Sequence, residues 1–306
     1  MADENSRSLL VVIFDANPVA WGGIAVEGNE TQISLTRCLE SLMVLCNSYL
    51  LLKHNNLLAF VAASTNGSKF LYPKASCEGI QSLPSQDSKY EKFAEFNDTV
   101  LREIKELVGT AQSTGKRHTS KMPHTTVFYN SRGELVSDLP GALCKALCYI
   151  HRMEKEYSVG AKLQPRILII KASPDDASHY MPVMNSIFAA QKSNTCIDAC
   201  VLYEHSGYLQ QATDITGGVY LKIPETQALL QYLMWLYLPD FSTRAMMVLP
   251  SSTQIDYRAA CFCHKKLVDV GFVCSVCLSI YCNPIPICRT CQTRFKLPTR
   301  PKKKKK

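Results

Sequence analysis

The sequence predicts an α/β protein, built on a mainly parallel six-stranded sheet with helices on both faces and followed by a small cysteine-dense module. Three observations carry that expectation. Continuous apolar runs of strand length recur through residues 1–238. Segments with apolar residues at helical spacing separate most of them, and such alternation favours parallel strands joined by crossover helices. Two C-x-x-C knuckles, Cys274-Ser-Val-Cys277 and Cys288-Arg-Thr-Cys291, then lie ten residues apart near the end.

The elements follow in order. Leu9-Leu-Val-Val-Ile-Phe14 reads as a buried parallel strand. Ser34 is placed to cap a helix running to about Leu52, with Leu35, Leu39, Leu42, Met43 and Cys46 near helical spacing. Leu57–Ala63 and Lys69–Tyr72 are strands, and their short Ser64–Ser68 link forces an antiparallel pair because it cannot cross over. A helix from about Lys89 to Val108 carries Phe93, Phe96, Val100, Leu101, Ile104 and Leu107 on one side. Polar residues from Thr110 to His124 predict an exposed loop. Asp138 and Pro140 open a helix stepped by Leu139, Leu143, Leu147 and Ile150. Arg166–Lys171 is the next strand, and a helix near Ser178–Lys192 leads to a strand at Cys196–Leu202. A short helix near Tyr208–Thr213 stops at Gly217-Gly218, and Val219–Ile223 is the sixth strand. An apolar helix over Glu225–Leu238 ends at Pro239.

Residues 239–256, with two prolines and several Ser and Thr, read as a linker to a module at 257–296. The formal charge of +8 belongs to the end of the chain: nine positives and no acid follow from Arg289, so residues 1–288 carry about −1. Residues 297–306 form a basic tail whose terminal lysines, Lys302–Lys306, read as a nuclear-import signal or a weak polyanion contact. The first residues lack a signal-peptide apolar region, and the apolar runs fall short of the roughly 18 residues of a membrane span, so a soluble intracellular protein is expected.

Seven of the fourteen cysteines fall between 261 and 291, a distribution that fits one metal-binding cluster in a reducing compartment. Cys274, Cys277, Cys288 and Cys291 supply four soft thiolates from two tight turns, which suits a structural, tetrahedral Zn2+ with no open position for substrate. Cys261, Cys263, His264 and Cys282 are enough for a second zinc. The Cys-x-His step of a cross-braced RING is missing between the knuckles, however, and packing around the first site is the favoured reading, since a free cysteine behaves as a small hydrophobe.

The sheet region shows no catalytic constellation. It lacks a GxxxxGK[ST] phosphate loop, its histidines are scattered, and Thr213–Gly218 lacks the setting of a dinucleotide site. Asp15-Ala-Asn17-Pro-Val19 stands at the carboxyl end of the first strand, where open α/β sheets place ligands. This position and the strand order resemble a von Willebrand factor A domain, whose metal motif there is Asp-x-Ser-x-Ser. Only Asp15 matches; Val19 offers no oxygen, so Asp15 reads as a loop-ordering or capping residue.

Nearly the whole chain, excepting the loops near 74–90 and 110–135, is similar to a known family. The stretches Phe14–Pro18, Ala146–Met153, Ile187–Lys192, Asp214–Gly218, Tyr257–His264 and Val270–Cys282 strongly resemble subunit 3 of general transcription factor IIH. The resemblance implies a non-enzymatic structural subunit of a nuclear assembly that opens promoters and the DNA around lesions in nucleotide excision repair. It implies pairing with the larger core subunit that carries its own A-type domain and RING-like module, and indirect links to the helicase subunits. The family's four-cysteine finger maps onto Cys274, Cys277, Cys288 and Cys291. No membrane or small-molecule partner is implied. Two other readings compete: a RING-like ubiquitin ligase or adaptor, resting on cysteine density, and a Mg2+-dependent ligand-binding A domain, resting on Asp15.

Overall fold

The structure is a computed structural model that describes residues 7–27, 33–73, 89–114, 136–157, 163–176, 179–250, 255–259, 261–264 and 266–295. The loop expected at 110–124 lies outside the described residues from 115 onward, as does the 297–306 tail. The chain forms two compact units, divided between Ile255 and Asp256.

The first unit is a six-stranded sheet. Its strands are β1 (Arg7–Asp15), β2 (Leu57–Ser64), β3 (Gly67–Tyr72), β4 (Leu163–Lys171), β5 (Cys196–Val201) and β6 (Tyr220–Lys222), in the order β3-β2-β1-β4-β5-β6. Every neighbouring pair is parallel except β2 with β3. This is the von Willebrand A-like, doubly wound arrangement expected from the sequence, with one antiparallel edge strand where the short link left no room for a crossover.

The period of two explains why the strands read as unbroken apolar runs. Leu10, Val12, Phe14, Phe60, Ala62, Leu168 and Ile170 face one layer, while Leu9, Val11, Ile13, Ala59, Val61, Ile167 and Ile169 face the other. The first layer is made by α1 (Pro18–Glu27), α2 (Leu35–Leu52), α3 (Lys89–Thr114) and the chain after β6; the second by α4 (Leu139–Tyr157), α5 (Tyr180–Lys192) and α6 (Gly207–Thr216). Both faces are covered, so neither alternates with polar residues.

Several boundaries differ from expectation. The helix α1 escaped sequence reading, although Asn17 Oδ1 accepts the Val19 N–H at 3.0 Å and Pro18 occupies the first helical position. Helix α3 runs six residues beyond Val108, into the segment expected to be loop. Ser34 caps α2 as expected, accepting the Arg37 N–H. At 18 residues and a mean hydropathy of 1.3, α2 is long and apolar enough to cross a membrane by length and composition. Its Cys38, Leu39, Leu42, Leu45, Cys46 and Tyr49 are nevertheless spent on the core.

Helix α6 ends in a paired-carbonyl turn: Gly217 takes φ 72°, its N–H reaches the Asp214 carbonyl, and the Gly218 N–H reaches that of Thr213. Gly218 then passes so close to β5 that a Cβ would stand 1.9 Å from the Ile197 carbonyl oxygen. The single helix expected over Glu225–Leu238 is instead a 3₁₀ turn (Thr226–Ala228), one α turn, α7 (Leu229–Tyr232), and a π turn (Leu233–Tyr237).

The segment read as a linker is partly built into this unit. It contains α8 (Phe241–Arg244), and Arg244 is buried. Its guanidinium forks onto Asp198 of β5, Nη1 to Oδ1 at 2.9 Å and Nη2 to Oδ2 at 2.7 Å. Arg166 of β4 lies beside the same carboxylate, 3.6 Å from Nε to Oδ2, and donates to the Pro239 carbonyl at 2.8 Å. Composition makes 239–256 look like a spacer because its docking rests on a few scattered contacts: Arg244, the Pro239 carbonyl, an Asp240–Lys53 ion pair at 2.8 Å and Leu249 against the core.

The second unit holds β7 (Phe272–Val273) paired antiparallel with β8 (Ile280–Tyr281). Among its described residues Cys274, Tyr281 and Cys288 form a buried cluster, with Phe262, Ile285 and Phe295 packed at the margin, and Cys261 is buried apart from it.

Candidate metal centre

The two knuckles fold alike. In each, the residue after the second cysteine takes a left-handed conformation: Leu278 at φ 61° and Gln292 at φ 60°. The Leu278 N–H returns to the Cys274 carbonyl at 2.9 Å, and the Gln292 N–H to the Cys288 carbonyl at 2.9 Å. Cys274 N–H and Cys288 N–H reach forward to the Ser279 and Thr293 carbonyls. Such a turn swings both thiols of a knuckle to one side.

The result is one tetrad. Cys274, Cys277, Cys288 and Cys291 present sulfurs that all lie within 4.8 Å of one another. Cys277 Sγ stands 3.5 Å from Cys288 Sγ, and Cys274 Sγ 3.7 Å from Cys291 Sγ. A tetrahedral ion with metal–sulfur bonds of about 2.3 Å has sulfur–sulfur edges of about 3.8 Å. A disulfide would need about 2.05 Å. The group therefore has the dimensions of a closed four-thiolate shell that could hold a metal ion.

Hydroxyls surround these sulfurs. Ser279 Oγ lies 3.1 Å from Cys277 Sγ, Thr293 Oγ1 3.1 Å from Cys291 Sγ, and Tyr281 OH 3.3 Å from Cys288 Sγ. Ser279 Oγ and Tyr281 OH both meet Thr290 Oγ1, linking the two knuckles. Desolvation pushes the Cys288 thiol up, but hydrogen bonds from Tyr281 and from the backbone N–H groups of Cys291 and Thr290 outweigh it and bring it down to about 5. A thiolate at neutral pH is the form a metal takes.

The residues read as packing around this site form a separate group. Cys261, Cys263, His264 and Cys282 come together in a tetrad of their own, with ligand atoms within 4.8 Å of one another. The sequence reading favours packing for this group because the Cys-x-His step of a cross-braced RING is missing between the knuckles. The fold supplies the missing proximity: Phe262 N–H bonds the Ile280 carbonyl at 2.8 Å, laying the 261–264 turn along β8, whose next residue is Cys282. The available signal was the density of three potential ligands within Cys261-Phe-Cys-His264.

The aspartate at the sheet's switch point is fully engaged. Asp15 is buried, and its Oδ2 accepts the Ser173 N–H at 2.8 Å, the Ala172 N–H at 3.3 Å and the Ser173 hydroxyl. Its Oδ1 takes the Asn17 N–H at 3.3 Å. The buried Lys171 ammonium stands in the same loop, 2.8 Å from Asp175 Oδ1. Asp15 thus ties the loop after β4 to β1, across the crevice where a doubly wound sheet would take a ligand. Asp15→Ala is expected to lower stability by about 3 kcal/mol by orphaning these donors. Mg2+ and EDTA should leave the melting temperature of the parent protein's sheet unit unchanged; a Mg2+-dependent rise would restore the ligand-binding reading.

Comparison with known proteins agrees with this layout. The sequence profile of the family described as Transcription factor Tfb4 matches residues 7–292, spanning both units. The general transcription and DNA repair factor IIH subunit tfb4 of Schizosaccharomyces pombe is 37% identical over 294 residues, covering 95% of this chain and 90% of that protein. The general transcription factor IIH subunit 3 of Dictyostelium discoideum is 35% identical, covering 87% and 69% respectively. Among solved structures, the TFIIH p34 N-terminal domain superposes with a TM-score of 0.58 at 29% identity, covering 76% of this chain and 98% of that domain.

Proposed function

Because the chain belongs to the Tfb4 family of transcription factor IIH subunits, we propose that it serves that nuclear assembly as a non-catalytic scaffold, with one interaction unit in the sheet and a second in a zinc-bound module. It is a subunit of the general transcription and DNA repair factor, and its part in promoter opening and nucleotide excision repair is to hold neighbours in place. The observation that carries the reading is the family match across both units. Two features of the sites support it. A shell of four thiolates has no open position for substrate or water, and the carboxylate at the sheet's switch point is spent on the backbone of its own loops.

Zn2+ is the ion that four cysteines at these distances suit best. Its task is structural: it joins two turns that have little core between them. The larger core subunit with an A-type domain and RING-like module is the direct partner in this reading, and the helicases are reached through it. The relatives' names lend no support to a ubiquitin ligase or adaptor.

A tagged purification from nuclear extract at moderate salt tests the proposal. The core subunits of the factor, including its helicases, should co-elute in stoichiometric amounts. Recovery of the chain alone, or with ubiquitin-conjugating enzymes, would overturn it.

A further inference from the structure

We propose that Cys261, Cys263, His264 and Cys282 bind a second zinc ion, so that the C-terminal unit is a cross-braced, two-metal module rather than a single four-cysteine finger. This goes beyond the scaffold reading and does not depend on it.

The donor set is complete. Three thiols and one imidazole make a Cys3His shell, a recurrent composition of structural zinc sites. Cys263 Sγ lies 3.3 Å from Cys282 Sγ, and His264 Nδ1 lies 3.2 Å from Cys282 Sγ. Both distances are far too long for covalent bonds. They sit within about 0.5 Å of the edges of a tetrahedron built on metal–sulfur and metal–nitrogen bonds of about 2.3 and 2.0–2.1 Å. The site is also built rather than accidental. Cys261 is 2% exposed, its N–H is held by the Lys266 carbonyl at 2.9 Å, and β8 delivers Cys282 directly beside the 261–264 turn.

Chain order makes the two sites interdependent. Ligands of the Cys3His group come from 261–264 and 282, and those of the four-cysteine group from 274–277 and 288–291. Each group is interrupted by half of the other. Tyr281 occupies the crossing point: its hydroxyl meets Cys288 Sγ of one group, and its chain neighbour is Cys282 of the other. Two ions placed so would clamp β7 and β8, which suits a unit with so small a buried cluster among its described residues.

The test is a metal count on the untagged full-length chain, with Co2+ substitution as the spectroscopic readout. Two zinc ions per chain are expected, falling to one or none in Cys282→Ser. His264→Cys should keep two ions while shifting the Co2+ d–d bands toward those of an all-sulfur site, a change that a packing role would not produce. A count of one in the parent chain, unaltered by Cys282→Ser yet abolished by Cys288→Ser, would overturn the second site and leave the first standing. A Co2+ spectrum indifferent to His264→Cys would overturn it as well.

Discussion

Replacing Asp198 by asparagine is expected to destabilise the sheet unit by about 3–5 kcal/mol, the range for breaking a buried ion pair from one side. Asp198 is fully buried, forked by Arg244, approached by Arg166 and also accepting the Val219 N–H at 2.9 Å. Without its charge, two buried guanidiniums would face a neutral amide. The loss is a large share of the roughly 5–15 kcal/mol that holds a typical domain together. Arg244→Met should have a smaller effect, because Arg166 and the Val219 N–H would still satisfy the carboxylate. Urea unfolding followed by tryptophan fluorescence measures this cleanly, since the chain's two tryptophans, Trp21 and Trp235, both belong to the sheet unit. A change below about 1 kcal/mol, the scale of an exposed pair, would mean that the carboxylate does not hold the chain after β6 in place.

Removal of the zinc ion proposed for the Cys274, Cys277, Cys288 and Cys291 tetrad should unfold the C-terminal unit outright. Structural zinc sites contribute on the order of 10–16 kcal/mol in small fingers at neutral pH. Little else is available here: Phe272, Val273, Val276 and Leu278 all lie exposed, and the buried cluster among the described residues is Cys274, Tyr281 and Cys288. Cys288→Ser, or a strong chelator, should release the ion and make residues from about 256 to 295 sensitive to limited proteolysis. The tryptophan-reported transition of the sheet unit should stay where it was. Loss of both transitions together would show that the two units fold as one.

Most of the sheet unit is legible because buried parallel strands announce themselves as apolar runs, as in β1, β2 and the Ile167–Ile170 stretch of β4, whereas β3 and β6 are short, half-buried strands with a weaker pattern. The antiparallel edge followed from a link too short to cross over. Local chemistry was equally readable where it depends on neighbours in sequence: Ser34 capping α2, the Gly217-Gly218 stop, and two knuckles that fold with matching turns. Helix α1 is an exception: Asn17 and Pro18 signal its start, yet the sequence reading places no helix between Asp15 and Ser34.

The α/β alternation, the two cysteine knuckles and the family likeness are legible in the residue order alone. Each of these is written in patterns a few residues long: a period of two, a helical step, a C-x-x-C turn. The surroundings of Asp15, Asp198, Arg244 and Cys282 are set instead by long-range packing. Asp15 gives its carboxylate to Ser173, 158 positions away; Arg244 reaches Asp198 across 46; and Cys282 joins Cys261, Cys263 and His264 because β8 lies beside them. A lone charged or thiol side chain carries no periodicity, so its partner is chosen by the packing that brings distant segments together and excludes water around them.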